Sequence, residues 1–347
     1  MGQKTQKILL VVLAILMLSF IVLGVAYSYK SRETLGKIAG TRVSKNEFIF
    51  LLKQVRTRLE ESMLSNETTM EERRKFWDSE VEGKTASEAA EEIALDEAKK
   101  IKIQLIKANE NKIELTKEEK DKNKKEIDEM VEKLGGTINA NQRIFMVYGV
   151  PMGEYKKIRE EISLVNKYMD SEKTKLKASD EELLDYYNKI YENEEQVTTR
   201  HILLSTVDSK EQPLPDYKIE EQRVKANELL ERLKNGEDIE KLVRENTADV
   251  SSIDTKGQYT FRKGQMVSEF EGWAFNNAPG SMGVIKTEYG FHVIVKPTFE
   301  ELKGEILDKV LNGKYEEMLN EWVKLPEYEL VINQKALKSV RNIIEQS

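Results

Sequence analysis

Ile285–Val295 reads IKTEYGFHVIV. Two apolar, β-branched runs flank Glu288–Gly290, so the stretch is predicted to be two strands joined by a tight turn. The second run carries His292. Only two histidines occur in 347 residues. The other is His201, in RHILLS (Arg200–Ser205), part of the strand-like stretch VTTRHILLS that begins at Val197. Between these strands the texture is regular. DSKEQPLPDYK (208–218) holds two of the six prolines and reads as a loop. Tyr217–Lys234 suits a helix ending at Gly236, and Asp238–Glu245 a shorter one. GQYTF (257–261) is strand-like, and Ser268–Asn276 suits a helix with Phe270, Trp273 and Ala274 facing inward. The order is β-α-α-β-α-β-β over about one hundred residues, an ordinary domain size. The two histidines fall on its first and last strands.

Outward from this unit the chain becomes helical. Capping-box spacing, a Ser or Thr followed three residues later by Glu, occurs at Ser44/Glu47, Thr85/Glu88, Thr116/Glu119, Ser179/Glu182 and Thr298/Glu301. Each pair can satisfy two free backbone N–H groups at a helix start. Before the first box a short strand is expected over Lys37–Val43. TKEEKDKNKKEIDEMVEKLGG (116–136) reads as a solvated helix stopped by Gly135 and Gly136. The next stretch reads as two helices broken near Gly149 and Pro151. Its Phe145, Met146 and Tyr148 are read as core, the alternative being a groove for unfolded chains. After Pro297 a helix resumes through Trp322, followed by the strand-like YELVIN (328–333). Helical segments on both sides of a mixed unit suggest that the unit is an insertion.

Composition narrows the function classes. Charged residues reach 34%, aromatic residues 7%, and both signs interleave around a net charge of −7. No basic block stands out, so nucleic acid is not an expected partner. The absence of cysteine excludes disulfides, thiolate catalysis, cysteine metal sites and an acylated-cysteine anchor. Ile8–Tyr29 runs without a charge, long enough for the roughly 20 residues that span a bilayer. It exceeds the roughly 7–15-residue apolar region of a cleaved signal, which favours a retained anchor over a removed one. Basic residues lie on both sides of it. Counted alone they would place the large domain in the cytoplasm. Long domains translocate regardless of charge and the start resembles an export signal, so an extracytoplasmic domain on a single-pass membrane anchor is the expectation.

Four separated motifs, RHILLS, TAD (247–249), RKGQMVSEFEGWAF (262–275) and IKTEYGFHVIV, together resemble the parvulin family of peptidyl-prolyl cis/trans isomerases. The wider layout resembles extracytoplasmic foldases of the PrsA and SurA type, in which a helical chaperone module is split around a parvulin domain. The fold class this implies is α+β: an N-terminal transmembrane helix, a largely helical chaperone module from N- and C-terminal segments, and an inserted parvulin domain with a four-stranded antiparallel sheet and surrounding helices. The domains would be 1–30 (anchor or uncleaved signal), 31–196 (SurA-N-like helical region), 197–297 (parvulin) and 298–347 (C-terminal helix and strand packing on the chaperone region).

The resemblance carries functional positions residue by residue. His201 and His292 match the paired histidines at the floor of the site, and Thr287 the threonine before the last turn. Met266 and Phe270 match the apolar residues that hold the substrate proline ring. Asp249 matches the acidic or thiol position near the prolyl bond. The usual Gly-Gly-Asp-Leu-Gly stretch is here KGQYTF (256–261), one residue shorter, with Tyr259 in place of the pocket leucine. The loop after Ser205 lacks the arginine cluster of phosphate-directed parvulins, so no preference for phosphoserine is expected.

Resonance opposes amide rotation by about 18–20 kcal/mol. An apolar cup that grips the proline ring in a dry pocket disfavours the polar planar amide. Such catalysis requires no nucleophile, metal or cofactor. The two histidines would share a hydrogen bond and be largely neutral, because two buried imidazoliums repel. They are poor metal ligands, having no third ligand at suitable spacing. Implied partners are unfolded or exported proline-containing polypeptides and the membrane; a homodimer is compatible with the layout. The alternatives are a binding chaperone with an inert parvulin fold and a scaffold in an envelope assembly.

Overall fold

The computed structural model describes residues 33–345 except Asn66, Glu82, Glu194 and Glu211. The expected anchor, Ile8–Tyr29, lies outside the described residues. Among the described residues no helix is long and apolar enough to cross a membrane. The chain divides into two compact units: residues up to Lys175 together with Tyr315 onward, and Leu176–Lys314.

In the first unit the expected single strand is a hairpin, β1 (Thr34–Ile38) with β2 (Thr41–Ser44). Ala39 and Gly40 both have positive φ, 46° and 79°, the twist that lets two residues reverse a strand. There follow α1 (Lys45–Met63), α2 (Met70–Asp78), the short pair β3 (Glu80–Val81) and β4 (Lys84–Thr85), α3 (Ala86–Glu110), α4 (Lys117–Lys133), α5 (Thr137–Tyr148) and α6 (Met152–Lys173). The boxes at Ser44, Thr85 and Thr116 form with both reciprocal bonds, and one not singled out in the sequence forms at Thr69/Glu72. Ala86, Ala90, Ala94 and Ala98 make a buried stripe along α3. Their four-residue spacing lines one helix face, and their small side chains allow close packing on α1 and α6.

On α5, Ala140 and Ile144 take the buried face. Each further residue turns about 100° around the axis, which carries Phe145 and Met146 outward to 48% and 67% exposure. The core reading of these two is therefore corrected. Tyr148, one turn on from Ile144, stacks on Phe50 with ring centroids 5.1 Å apart.

The second unit holds α7 (Asp180–Ile190), β5 (Gln196–Ser205), α8 (Asp216–Lys234), α9 (Ile239–Asn246), β6 (Gln258–Arg262), α10 (Ser268–Asn276), β7 (Met282–Lys286) and β8 (Gly290–Val295). The first part of α11 (Phe299–Lys324) also belongs to it. The remaining boxes, Ser179/Glu182 and Thr298/Glu301, begin α7 and α11. Beyond α11, β9 (Val331–Ile332) pairs with β1, and a further helix, α12 (Gln334–Glu345), follows.

The second unit's four-stranded sheet has the order β6-β5-β8-β7, antiparallel throughout. Alternation along the strands divides its side chains between two cores. Ile202, Leu204, Phe291, Val293 and Val295 pack with residues of α8 and α9, including Leu229 and Leu242. On the other face Val197, Phe261 and Ile294 pack with Phe270 and Ala274 of α10. The register sets Leu203 opposite His292 and His201 opposite Ile294. Opposed residues share a face, so both histidines lie on the side covered by α10.

Candidate active site

His201 and His292, 91 residues apart in sequence, meet with their Nδ1 atoms 3.0 Å apart. The rings are nearly parallel, at 15° and a centroid separation of 5.2 Å. Both are buried, 4% and 5% exposed. Phe270 stands edge-on to the pair, 5.4 Å from His201 and 5.3 Å from His292. Tyr259 meets His201 edge-on at 5.3 Å. Met266 and Tyr259 are partly buried against the same cluster.

Each outer ring nitrogen has a partner. Thr287 Oγ1 lies 2.8 Å from His292 Nε2 and itself accepts the backbone N–H of Tyr289. Asp249 Oδ2 lies 3.0 Å from His201 Nε2 and accepts the Tyr259 hydroxyl at 2.8 Å. Ser251 donates to Asp249 Oδ1 at 2.6 Å. An ionised carboxylate only accepts, so the donor sense follows from that end. His201 Nε2–H donates to Asp249, which leaves Nδ1 of a neutral ring as an acceptor. His292 Nδ1–H donates to it, and His292 Nε2 accepts from Thr287. With a neutral His201, one direction runs through the whole chain of bonds.

Hydrogen bonds from His201, Ser251 and Tyr259 hold the Asp249 carboxyl well below the usual carboxylate range, against the opposing effect of burial. Burial and the neighbouring His201 push His292 down to about 4, so it is neutral at physiological pH. Burial raises the Tyr259 phenol, which stays protonated as a donor.

Local structure explains these placements. Thr247 caps the end of α9, and its hydroxyl accepts from the backbone N–H of both Leu203 and Asp249. Ala248 N–H donates to Leu203 O at 2.8 Å. Asp249 is thereby pinned beside β5 at the start of a 3₁₀ turn over Val250–Ser252. Gly257 then brings the chain against His201, whose backbone N–H donates to Gly257 O at 2.8 Å. With φ at +74°, a Cβ there would lie 2.4 Å from His201 O, so only glycine fits. Thr287 is placed by the β7–β8 turn, where Gly290 has φ +146° and a Cβ would strike Leu204 O at 2.2 Å.

All seven residues singled out in the sequence, His201, Asp249, Tyr259, Met266, Phe270, Thr287 and His292, gather on this one face. Three more escaped the sequence reading. Thr247 and Ser251 flank Asp249 in TADVSS, where hydroxyls two residues to either side are a signal for local hydrogen bonding. Lys296 is 2% exposed and ties down α10 through Ala274 O (2.9 Å) and Asn277 O (2.7 Å). It continues the alternation His292, Ile294, Lys296, which points inward and could have identified it.

Residues 182–296 match the PPIC-type peptidyl-prolyl isomerase (PPIase) domain family, and residues 1–131 match the SurA-like N-terminal domain family. The chain is therefore a parvulin-type PPIase of the PrsA/SurA type. It is 27% identical over 299 residues to the foldase protein PrsA of Caldanaerobacter subterraneus subsp. tengcongensis, covering 84% of this chain and 83% of that protein. Over 158 residues it is 28% identical to the foldase protein PrsA 3 of Bacillus anthracis, covering 40% of this chain and 56% of that protein. The crystal structure of PrsA from Bacillus subtilis aligns over 91% of this chain and 93% of that one, with 19% identity and a TM-score of 0.36.

Proposed function

We propose that the chain is a foldase that catalyses cis/trans isomerisation of X–Pro bonds in unfolded polypeptides and holds those polypeptides as a chaperone. The observation that carries this reading is the His201–His292 pair beneath Phe270, with Thr287 at one end and Asp249 at the other. In this reading Phe270, Met266 and Tyr259 grip the proline ring while the preceding carbonyl rotates. The histidine pair forms a rigid, uncharged floor. Asp249 supplies the fixed negative charge beside the prolyl bond, where low local dielectric strengthens its effect. Uncatalysed X–Pro isomerisation takes tens to hundreds of seconds, slow enough to limit folding.

The domain assignment proposed with it is an isomerase domain at 197–297 and a chaperone region from 31–196 and 298–347. Ile8–Tyr29 would anchor the chain with its large domain outside the cytoplasm, where exported polypeptides are the clients. Protease treatment of intact cells tests this placement, and complete protection of the large domain excludes it. Sedimentation of the full chain tests a homodimer, and a mass of one chain excludes it.

The deciding experiment pairs a prolyl-peptide isomerisation assay with suppression of aggregation of an unfolded protein. Acceleration of the first supports the isomerase. Suppression of aggregation without acceleration would replace it with a binding chaperone carrying an inert parvulin fold. Ile138 and Met146, exposed at 75% and 67% on α5, favour retaining the holding function in either case.

A further inference from the structure

Asp249 has three side-chain donors. His201 Nε2–H (3.0 Å) and the Tyr259 hydroxyl (2.8 Å) share Oδ2, while the Ser251 hydroxyl takes Oδ1 at 2.6 Å. The last two come from outside the histidine relay and from different elements, β6 and the 3₁₀ turn. Their oxygens lie 3.3 Å apart, which closes a triangle around the carboxylate. Because both carboxylate oxygens are engaged, turning the carboxylate about its Cβ–Cγ bond would break bonds to three elements, β5, β6 and the 3₁₀ turn.

This constraint bears on the histidines. The tautomer of a neutral imidazole is set by the partners of its nitrogens. If the carboxylate turned away, His201 Nε2 would face no acceptor, and the proton between the rings would no longer be assigned to one side. We infer that Ser251 and Tyr259 are positioning residues that lock the Asp249 carboxylate and, through it, the tautomers of His201 and His292. Tyr259 thus presents its ring to His201 and its hydroxyl to Asp249, the second being something the leucine it replaces could not do. The titratable groups facing Asp249 are His201 on β5, Tyr259 on β6 and, through His201, His292 on β8. The same bonds depress the Asp249 carboxyl, so it remains an acceptor in mild acid.

The inference deepens the isomerase reading but can be tested apart from it. The chain has only two histidines, so labelling the full chain with ¹⁵N-histidine gives four ring nitrogens. Protonated and bare ring nitrogens resonate far apart. In the parent protein His201 Nε2 and His292 Nδ1 should be protonated and the other two bare. In the double variant Ser251→Ala/Tyr259→Phe, which keeps the ring and changes an exposed serine, each pair should move toward its average. The isomerisation kcat/KM should fall about tenfold or more, the scale of a displaced catalytic group. Ser251→Thr in the Tyr259→Phe background should restore part of both signals. Four unmoved nitrogen resonances in the double variant overturn the inference. Shifted resonances in a protein with no isomerase activity would leave the clamp standing and remove the isomerase reading.

Discussion

Lys296→Met removes the cation under α10 with little change in side-chain volume. Lys296 Nζ donates to Ala274 O at 2.9 Å and Asn277 O at 2.7 Å, and pairs with Glu192 Oε1 at 2.9 Å. The two carbonyls lie in the last turn and at the C-cap of α10, where a positive charge also opposes the helix dipole. A hydrogen bond to a charged group contributes about 1.5–3 kcal/mol net. Removing one partner of a buried ion pair costs about 3–5 kcal/mol. Two features reduce that figure. Glu192 is 26% exposed, so water can reach the stranded carboxylate. Methionine also avoids the desolvation that burying an ammonium requires. The expected loss is about 2–4 kcal/mol. Adding Glu192→Gln should return about 1 kcal/mol of it by removing the unpaired charge. Urea unfolding measures this, followed by Trp273 fluorescence in a background where Trp77 and Trp322 are phenylalanine. Because α10 also carries Phe270, isomerisation should weaken along with stability. A loss below about 0.5 kcal/mol, the range of ordinary surface substitutions, would refute the assignment of Lys296 as the pin of this helix.

Three further outcomes are expected. Phe270→Leu should cost about 1–3 kcal/mol, from near-conserved volume plus lost aromatic contacts, while isomerisation of a prolyl peptide falls about tenfold or more; unchanged kinetics would remove Phe270 from the pocket. His292 has a folded-state pKa of about 4 against an ordinary 6.5, so between these values the unfolded chain takes up a proton that the folded domain refuses. Stability of the second unit should therefore be fully present above pH 6.5 and fall on the order of 3 kcal/mol as the pH drops toward 4, as read by urea unfolding at pH 7 and 4.5. In the first unit Lys102 pairs with Glu47 and, at 2.8 Å, with Glu161; burial and the nearby Glu47 charge raise Glu161 from 4.5 to about 7. The folded unit then holds a proton that the unfolded chain has released, so its thermal midpoint should decline from pH 5 to pH 8, and Glu161→Gln should flatten that slope.

Helix starts were legible because a capping box is complete within four residues: Ser44/Glu47 and Thr298/Glu301 need no distant partner. The reversal at Ala39–Gly40 leaves no mark in the sequence because a non-glycine residue there adopts positive φ, a choice that residue type rarely signals. Phe145 and Met146 depart from the core expectation because composition tells which residues are apolar, whereas the position of Ile144 on α5 decides which of them turns inward.

The same division runs through the site. Sequence by itself determined that two histidines lie on strands, that apolar residues precede and line a helix between them, and that a threonine stands at the last turn. Those are properties of short segments, governed by alternation, turn chemistry and side-chain type. Tertiary structure alone decided that His201 and His292 meet through their Nδ1 atoms, that Asp249 is gripped by Ser251 and Tyr259, and that Lys296 is buried under α10. These contacts depend on strand register and on which elements share a sheet face, and both emerge only when separate segments pack against one another.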